Sequence, residues 1–374
     1  MRVLHTESSI NWGGQEYRAL EQMRWLNDHG HESVLAAKPG SAIMERARAW
    51  GLEAVAVGFR GHYNPRAIMG ARRLVRERAI DVADCHGSRD AVTLAFARPL
   101  CPVIRSRHVS QALKGKAHRR LQWGWGCDHA IATAGCIKDG IVAAGLCRPE
   151  RVTVVGEWAG DEFFDTSGRS AERAEIRREF AISGGLPVVS VVGMLRGDKA
   201  QENLIDASAI LKERGRPVVC LIVGAGISTQ EGYEAKLRAR ADTHGLQDSV
   251  IFTGYRDDVA RITRASDALC VTSVAVEGQS RAVPQAFACE TPVVASRIGG
   301  VPELVVPGDT GWLVEPGDAV GYADALLQIF DDREGARAVT ARARRFAEAH
   351  LTLDAKMAET LAVYHAAIRK FHGK

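Results

Sequence analysis

Short apolar runs alternate with longer amphipathic segments along the whole chain. In the first half the runs fall at 3–5, 31–37, 52–59, 81–86, 103–107, 130–133 and 152–155, and in the second at 186–193, 218–224, 250–256, 268–272 and 292–295. Runs this short, bounded by turn-forming residues, read as strands. Between them, apolar residues recur at helical spacing: Ala19, Leu20, Met23 and Leu26 make one face over 15–27. The same spacing predicts helices over 200–212, 257–265, 280–288, 319–330, 333–350 and 353–372. Strand and helix in repeated alternation predict a doubly wound, mostly parallel α/β sheet. The unbroken run 186–193 suits a central strand covered on both faces. Segment 166–179 is polar and charged, and a domain boundary is placed beside it, after residue 165.

Length supports that division, because 374 residues exceed one ordinary domain. Hydrophobic content of 46% and charged content of 25% suit a folded globular protein, and a net charge of +4 is mild. Eight cysteines occur as singletons with no C-x-x-C pair, which argues against a disulfide framework or a zinc site. A reducing cytoplasm suits them best. The amino terminus enters a strand directly, and no run approaches the roughly 20 apolar residues that span a bilayer. The expectation is a cytoplasmic protein, with any membrane contact peripheral and on the inner face.

Candidate chemistry collects where strands end. After the run 268–272 come Ser273, Glu277, Gly278, Gln279, Ser280 and Arg281, then a helix start. In parallel sheets ligands sit at the carboxyl ends of strands, and helix-start amides favour an anion. Gly13 and Gly14 stand likewise between a first strand and a first helix, where glycine lets backbone approach a ligand closely. Met194-Leu195-Arg196-Gly197-Asp198-Lys199 follows the run 186–193 and supplies the cations that a diphosphate leaving group needs. Gly224-Ala225-Gly226 resembles the start of a dinucleotide fingerprint, but the third glycine position holds Thr229. A nicotinamide dehydrogenase is therefore disfavoured.

His86 and His108 both fall at strand ends. Between Arg105 and Cys127 there is no Asp or Glu, while Arg105, Arg107, Lys114, Lys116, Arg119 and Arg120 are basic and Leu121, Trp123 and Trp125 follow. Basic residues beside exposed tryptophans suit an anionic membrane surface. They equally suit a phosphorylated or lipid-linked acceptor, or a solvated face with the tryptophans packed inward. Nucleic acid is not expected, since the basic stretch is short and brings no binding motif.

The second-half motifs resemble the donor-binding segments of retaining glycosyltransferases with the GT-B architecture, family 4 (glycosyl transferases group 1). The resemblance rests on Glu277-Gly278, the small-residue helix Gln285-Ala286-Phe287-Ala288-Cys289, Pro292-Val293-Val294-Ala295 and Gly299-Gly300-Val301-Pro302-Glu303. It implies two Rossmann-like parallel-sheet domains facing a central cleft. Residues 1–165 would bind the acceptor and 166–350 the nucleotide-sugar donor, with a terminal helix over 351–374 packing back on the first domain. Glu277 would hold the transferred sugar, with His108 beside it, and Arg196 and Lys199 would clamp the donor phosphates. Gly13, Gly14, Gly224, Gly254, Tyr255, Gln279, Ser280, Arg281 and Gln285 would line the donor site. Glu16, His86, Arg105 and Arg107 would meet the acceptor.

Three positions depart from the family pattern. Gln285 stands where a second glutamate usually holds the ribose, Met194 where an arginine follows the glycine, and Ala200 where a glycine follows the lysine. A glutamine amide still hydrogen-bonds ribose hydroxyls. No Asp-x-Asp occurs in the chain, in keeping with cations in place of a metal. No cofactor is expected beyond the co-substrate, a nucleoside-diphosphate sugar with UDP favoured. The expected acceptor is a glycan or lipid-linked glycan of cell-surface polysaccharide or lipopolysaccharide assembly. A non-catalytic nucleotide-sugar binder and a sugar-nucleotide epimerase or hydrolase are the competing readings.

Overall fold

The computed structural model describes residues 1–59, 63–226, 230 and 232–373, without the side chains of His118 and Leu121. Thr229 therefore lies outside the described residues, as does the side chain of Leu121. The chain divides into two compact units, one formed by Met1–Gly156 with Lys356–Lys374 and the other by Glu157–Ala355.

The first unit carries strands β1 Arg2–Glu7, β2 Glu32–Ala37, β3 Ala54–Ala56, β4 Val82–Cys85, β5 Val103–Arg107, β6 His129–Ala132 and β7 Val152–Val154. They form a parallel sheet in the order β3-β2-β1-β4-β5-β6-β7. Side chains alternate between its faces. Leu4, Val34 and Ala36 join one apolar cluster with Ala67, Ala71 and Leu94, while Leu35 and Ala37 join another with Leu20, Met23 and Ile43. Helices cover both faces, which explains why the strands read as unbroken apolar runs.

The second unit carries β8 Val188–Val192, β9 Val219–Val223, β10 Val250–Gly254, β11 Ala268–Val271, β12 Val293–Ser296 and β13 Trp312–Val314, in the order β10-β9-β8-β11-β12-β13. Here too every pairing between strands is parallel. Val189, Val191, Cys220 and Ile222 face one core, and Val188, Val219, Leu221 and Val223 face another. Both sheets are doubly wound, so the expected fold class of two Rossmann-like parallel-sheet units holds.

Several elements differ from the sequence reading. Segment 166–179, read only as polar and charged, contains the helix Arg169–Glu179 with Ile176 as its buried anchor. Arg169 donates to the Arg264 carbonyl, Arg173 pairs with Asp267, and Arg177 donates to the Gly184 carbonyl. Strand β13 is too short to register as a periodic run. The last helix, Leu353–His372, runs from the second unit's last residues into the first unit. There Tyr364 donates its hydroxyl proton to the buried Asp84 at 2.6 Å.

Each sheet reverses its strand order once, between β1 and β4 in the first unit and between β8 and β11 in the second. At such switch points the loops leave in opposite directions and open a crevice at the strands' carboxyl ends. Both groups of candidate residues lie there.

Candidate active site

In the second unit, the loop after β8 and the segment after β11 are laced together. The Thr272 hydroxyl donates to the Lys199 carbonyl at 2.7 Å, and the Val274 amide donates to the Asp198 carbonyl at 2.9 Å. This fixes Lys199 against Glu277, with Nζ 2.5 Å from Oε2. The Ser273 hydroxyl reaches the same carboxylate oxygen at 2.5 Å. Glu277 is buried and Lys199 half-buried. Positions 78 residues apart in sequence thus meet as one charged, hydrogen-bonded pair. Arg196 forks onto Asp198 with contacts of 2.6 and 2.5 Å.

Glycine backbone sets these loops. Gly299 has φ +56°, and a Cβ there would stand 2.0 Å from the Glu277 carbonyl oxygen. Gly224 has φ +143°, and a Cβ there would stand 1.9 Å from the Gly193 carbonyl oxygen. The Gly224 amide also donates to the Gly254 carbonyl at 3.0 Å. Close approach of backbone is therefore the physical reason for both glycines. Ala200 holds a left-handed φ of +46°, the conformation that favours the family's glycine at this place.

The remaining donor-side residues divide by what they already touch. Gln279 is buried, accepting from the Glu157 amide at 3.0 Å and donating to Glu303 at 2.9 Å. Its amide supports the loop. Gln285 is half-buried, and its side chain makes no hydrogen bond among the described residues, so it is the amide open to a ligand. Arg281 stands 3.9 Å from Glu157 and 5.4 Å above the Trp158 ring. The helix expected over 280–288 is Ala282–Ala288. Few of its first amides are available: Val283 N–H donates to the Ser280 carbonyl at 3.0 Å, and Pro284 has no N–H. Tyr255 keeps 44% of its surface exposed beside Gly254, and its hydroxyl donates to Asp257.

The first unit gathers its residues around a cavity of about 300 Å³ at the ends of β1, β4 and β5. Glu7, Gln15, His86, Arg105, Arg107 and His108 are among its lining. Gly13 is extended and caps the helix Gly14–Asp28, which brings Gln15 to the Glu7 carboxyl at 2.5 Å. Glu7 also accepts from the Ser9 amide at 2.7 Å. Burial, then the charges of Asp90 and Glu16, push the Glu7 carboxyl up to about 8. Glu16 is raised by burial, and its carboxyl bends back to its own amide, the Ser9 hydroxyl and the Gly13 amide.

Three imidazoles form a chain inward from this cavity. His108 Nε2 lies 3.0 Å from His86 Nδ1, and His86 Nε2 lies 2.9 Å from His5 Nδ1. Burial drives His5 down to about 3 and lowers His86, so both rings are neutral. His5 and His86 with Asp84 have the ligand types and proximity for a metal ion. The Asp84 oxygens, however, accept from Ser106 at 2.8 Å and Tyr364 at 2.6 Å, which accounts for the cluster as a hydrogen-bond network. His108 is thus positioned by rings that the sequence reading did not connect to it.

Of the readings left open for the tryptophans, Trp123 follows the inward-packed one and Trp125 the exposed one. Trp123 is buried beneath Arg105, whose guanidinium carbon lies 4.1 Å from the ring centroid. Trp125 keeps 44% exposure and stands edge-on to Phe96. They do not make one exposed aromatic face, because the helix Ala117–Gly124 turns Trp123 inward and Trp125 lies beyond its end.

Sequence comparison agrees with this two-part arrangement. The family described as Glycosyl transferases group 1 matches residues 172–346, and the family described as Glycosyltransferase Family 4 matches residues 12–157. The chain belongs to the family-4 glycosyltransferases of the GT-B type. It is 30% identical over 174 residues to N-acetyl-alpha-D-glucosaminyl L-malate synthase of Bacillus anthracis, an alignment covering 46% of this chain and 44% of that protein. The chain spans about half the length of the curated relatives it matches. In fold it resembles a glycosyltransferase from Rickettsia africae, with a TM-score of 0.88, 17% identity and coverage of 98% of both chains. It also resembles Anabaena Alr3699/HepE solved in complex with UDP, with a TM-score of 0.85, 22% identity and coverage of 97% of this chain and 100% of that one.

Proposed function

We propose that this protein is a retaining glycosyltransferase that moves a sugar from a nucleoside-diphosphate sugar, UDP-sugar in preference, to an acceptor hydroxyl. The observation that carries the reading is the Lys199–Glu277 pair at the switch point of the second sheet, with contact at 2.5 Å. A departing diphosphate needs cations in a site shielded from water, and an anomeric centre gaining positive charge needs a carboxylate near its hydroxyls. Lys199 and Arg196 supply the first and Glu277 the second. Gln285 offers its amide to the ribose, and Tyr255 its exposed ring to the base. The acceptor oxygen bonds to the anomeric carbon as the carbon–oxygen bond to the diphosphate breaks, and the hydroxyl proton passes to the departing diphosphate oxygen. No separate base is required.

The acceptor falls to the first unit, through Gln15, His86, His108, Arg105 and Arg107. On this reading it belongs to cell-surface polysaccharide or lipopolysaccharide assembly. Lys114, Lys116, Arg120 and Trp125 are exposed and suit peripheral contact with an anionic bilayer. No helix of the described residues is long and apolar enough to cross a membrane.

Calorimetric titration with UDP, GDP and ADP, without added metal, tests the donor site. One nucleotide should bind selectively, and Lys199→Ala and Arg196→Ala should each weaken it about tenfold, or about 1.4 kcal/mol. Glu277→Ala should leave nucleotide affinity within about threefold yet lower turnover at least about a hundredfold. Absence of nucleotide binding, or binding indifferent to both cation removals, overturns the assignment.

A further inference from the structure

The cavity of the first unit carries more fixed positive charge than neutral hydroxyl groups call for. Arg105 is 8% exposed, and its Nη1 has no hydrogen-bond partner among the described residues. Its guanidinium lies over Trp123 at 4.1 Å, which fixes its plane at the wall of the cavity. Arg107, two residues on, donates one N–H to the Gln111 carbonyl at 2.6 Å. Among the described residues neither arginine forms an ion pair with a carboxylate. Arg89 and Ser88, at the start of the helix Ser88–Ala95, line the same cavity.

A buried guanidinium stays charged, and leaving it unpaired is costly. The one acid among the lining residues is Glu7. Burial, then Asp90 and Glu16, push its carboxyl up to about 8, so at neutral pH it is protonated and does not neutralise the arginines. Gln15 and His86 around the same cavity are neutral groups suited to hydroxyls, and His108 lies beside them. Within one cavity there is thus a forked cationic seat beside a polar neutral wall.

We propose that this cavity selects an acceptor bearing an anionic group, a phosphate monoester or a carboxylate, which Arg105 and Arg107 hold while the neutral residues meet its hydroxyls. The inference rests on the reading of the first unit as the acceptor-binding unit. A guanidinium fork matches the two oxygens of either group, and that is the chemistry they share.

The test is calorimetry of the full chain with inorganic phosphate, L-malate, glucose 6-phosphate and glucose. Wild type, Arg105→Gln, Arg107→Gln and the exposed control Arg66→Gln are compared, each titrated with UDP as well. An anion borne on a hydroxylated carbon skeleton should bind about tenfold or more tightly than glucose and than inorganic phosphate. Each pocket arginine change should weaken it about tenfold, while Arg66→Gln shifts it less than about twofold. UDP affinity should be unchanged in all. If Arg105→Gln fails to fold, judged by near-ultraviolet circular dichroism, Arg107→Gln carries the comparison. Anion binding no tighter than glucose, or unaffected by the arginines, overturns the proposal. Inorganic phosphate bound as tightly as both organic anions overturns the acceptor assignment. Arginine-dependent anion binding without any UDP binding supports the subsite and sinks the transferase reading. UDP binding without anion binding does the reverse.

Discussion

Glu7 ends β1 with its carboxyl shut away from water, and this makes it a pH sensor for the first unit. Its folded value of about 8 lies above the 4.5 of an ordinary glutamate, raised by burial first and then by Asp90 and Glu16. Below about 4.5 folded and unfolded chains both hold the proton. Between there and about 8 only the folded chain does, so stability falls as pH rises, by up to about 1.4 kcal/mol per pH unit. Urea unfolding of the wild type should weaken from pH 5 to pH 8, and Glu7→Gln should remove part of that slope. Gly299 has the opposite sensitivity, to size. Gly299→Ala places a methyl 2.0 Å from the Glu277 carbonyl oxygen at a left-handed φ. It should cost more than about 2 kcal/mol and depress turnover further through the displaced Glu277, read by unfolding and initial rates together. Glu277 and Lys199 were legible because each follows a strand at a motif position. Glu7 was not, since a carboxylate closing an apolar run looks the same in sequence whether it faces water or two other acids and two amides. Trp123 stayed open between exposed and inward-packed for a similar reason: tryptophans two positions apart at a helix end take opposite environments, and only packing decides which turns inward.

At the scale of elements, strand ends fell where apolar runs met glycine or polar loops, and β5 and the helices Arg333–His350 and Leu353–His372 match the pattern residue for residue. The pattern fails where burial is not the stabilising term. The helix Arg169–Glu179 is held by arginine contacts to carbonyls and carboxylates around one buried isoleucine, so it has no apolar stripe to find. The edge strand β3 is shorter than its apolar run, because an edge strand has a neighbour on one side only. Tyr364 of the last helix tests how firmly such an element is held. Tyr364→Phe takes the donor from a fully buried Asp84 oxygen and should cost about 1–3 kcal/mol in urea unfolding, with Tyr364→Leu costing more through lost volume.

For the molecule as a whole, the two units differ in how the chain makes them. Glu157–Ala355 is one continuous stretch with its own sheet and cores, whereas the first unit is assembled from Met1–Gly156 and Lys356–Lys374. A fragment spanning 157–355 should unfold cooperatively on its own and retain the nucleotide selectivity of the full chain. A fragment spanning 1–156 should show exposed apolar surface and a shallow transition, and adding 356–374 as a separate peptide should sharpen it. Failure of the first fragment to fold, or full cooperativity of the second without the peptide, contradicts this division. The sequence suggested the return of the last helix only through family resemblance, since nothing local in 353–372 reports a partner as distant as Asp84.

The bond from Tyr364 to Asp84 also orders events on the ribosome. Translation delivers Asp84 early and Tyr364 only after the whole of the second unit has emerged. The nascent first unit therefore waits with the buried carboxylate short of a donor, while the later-made second unit has all of its chain and can fold at once. Birth order and completion order should therefore be reversed in this protein. A ribosome stalled once residue 355 has emerged should accordingly display a protease-resistant second unit and a cleavable first one, and resistance of both should appear only once 356–374 have emerged as well.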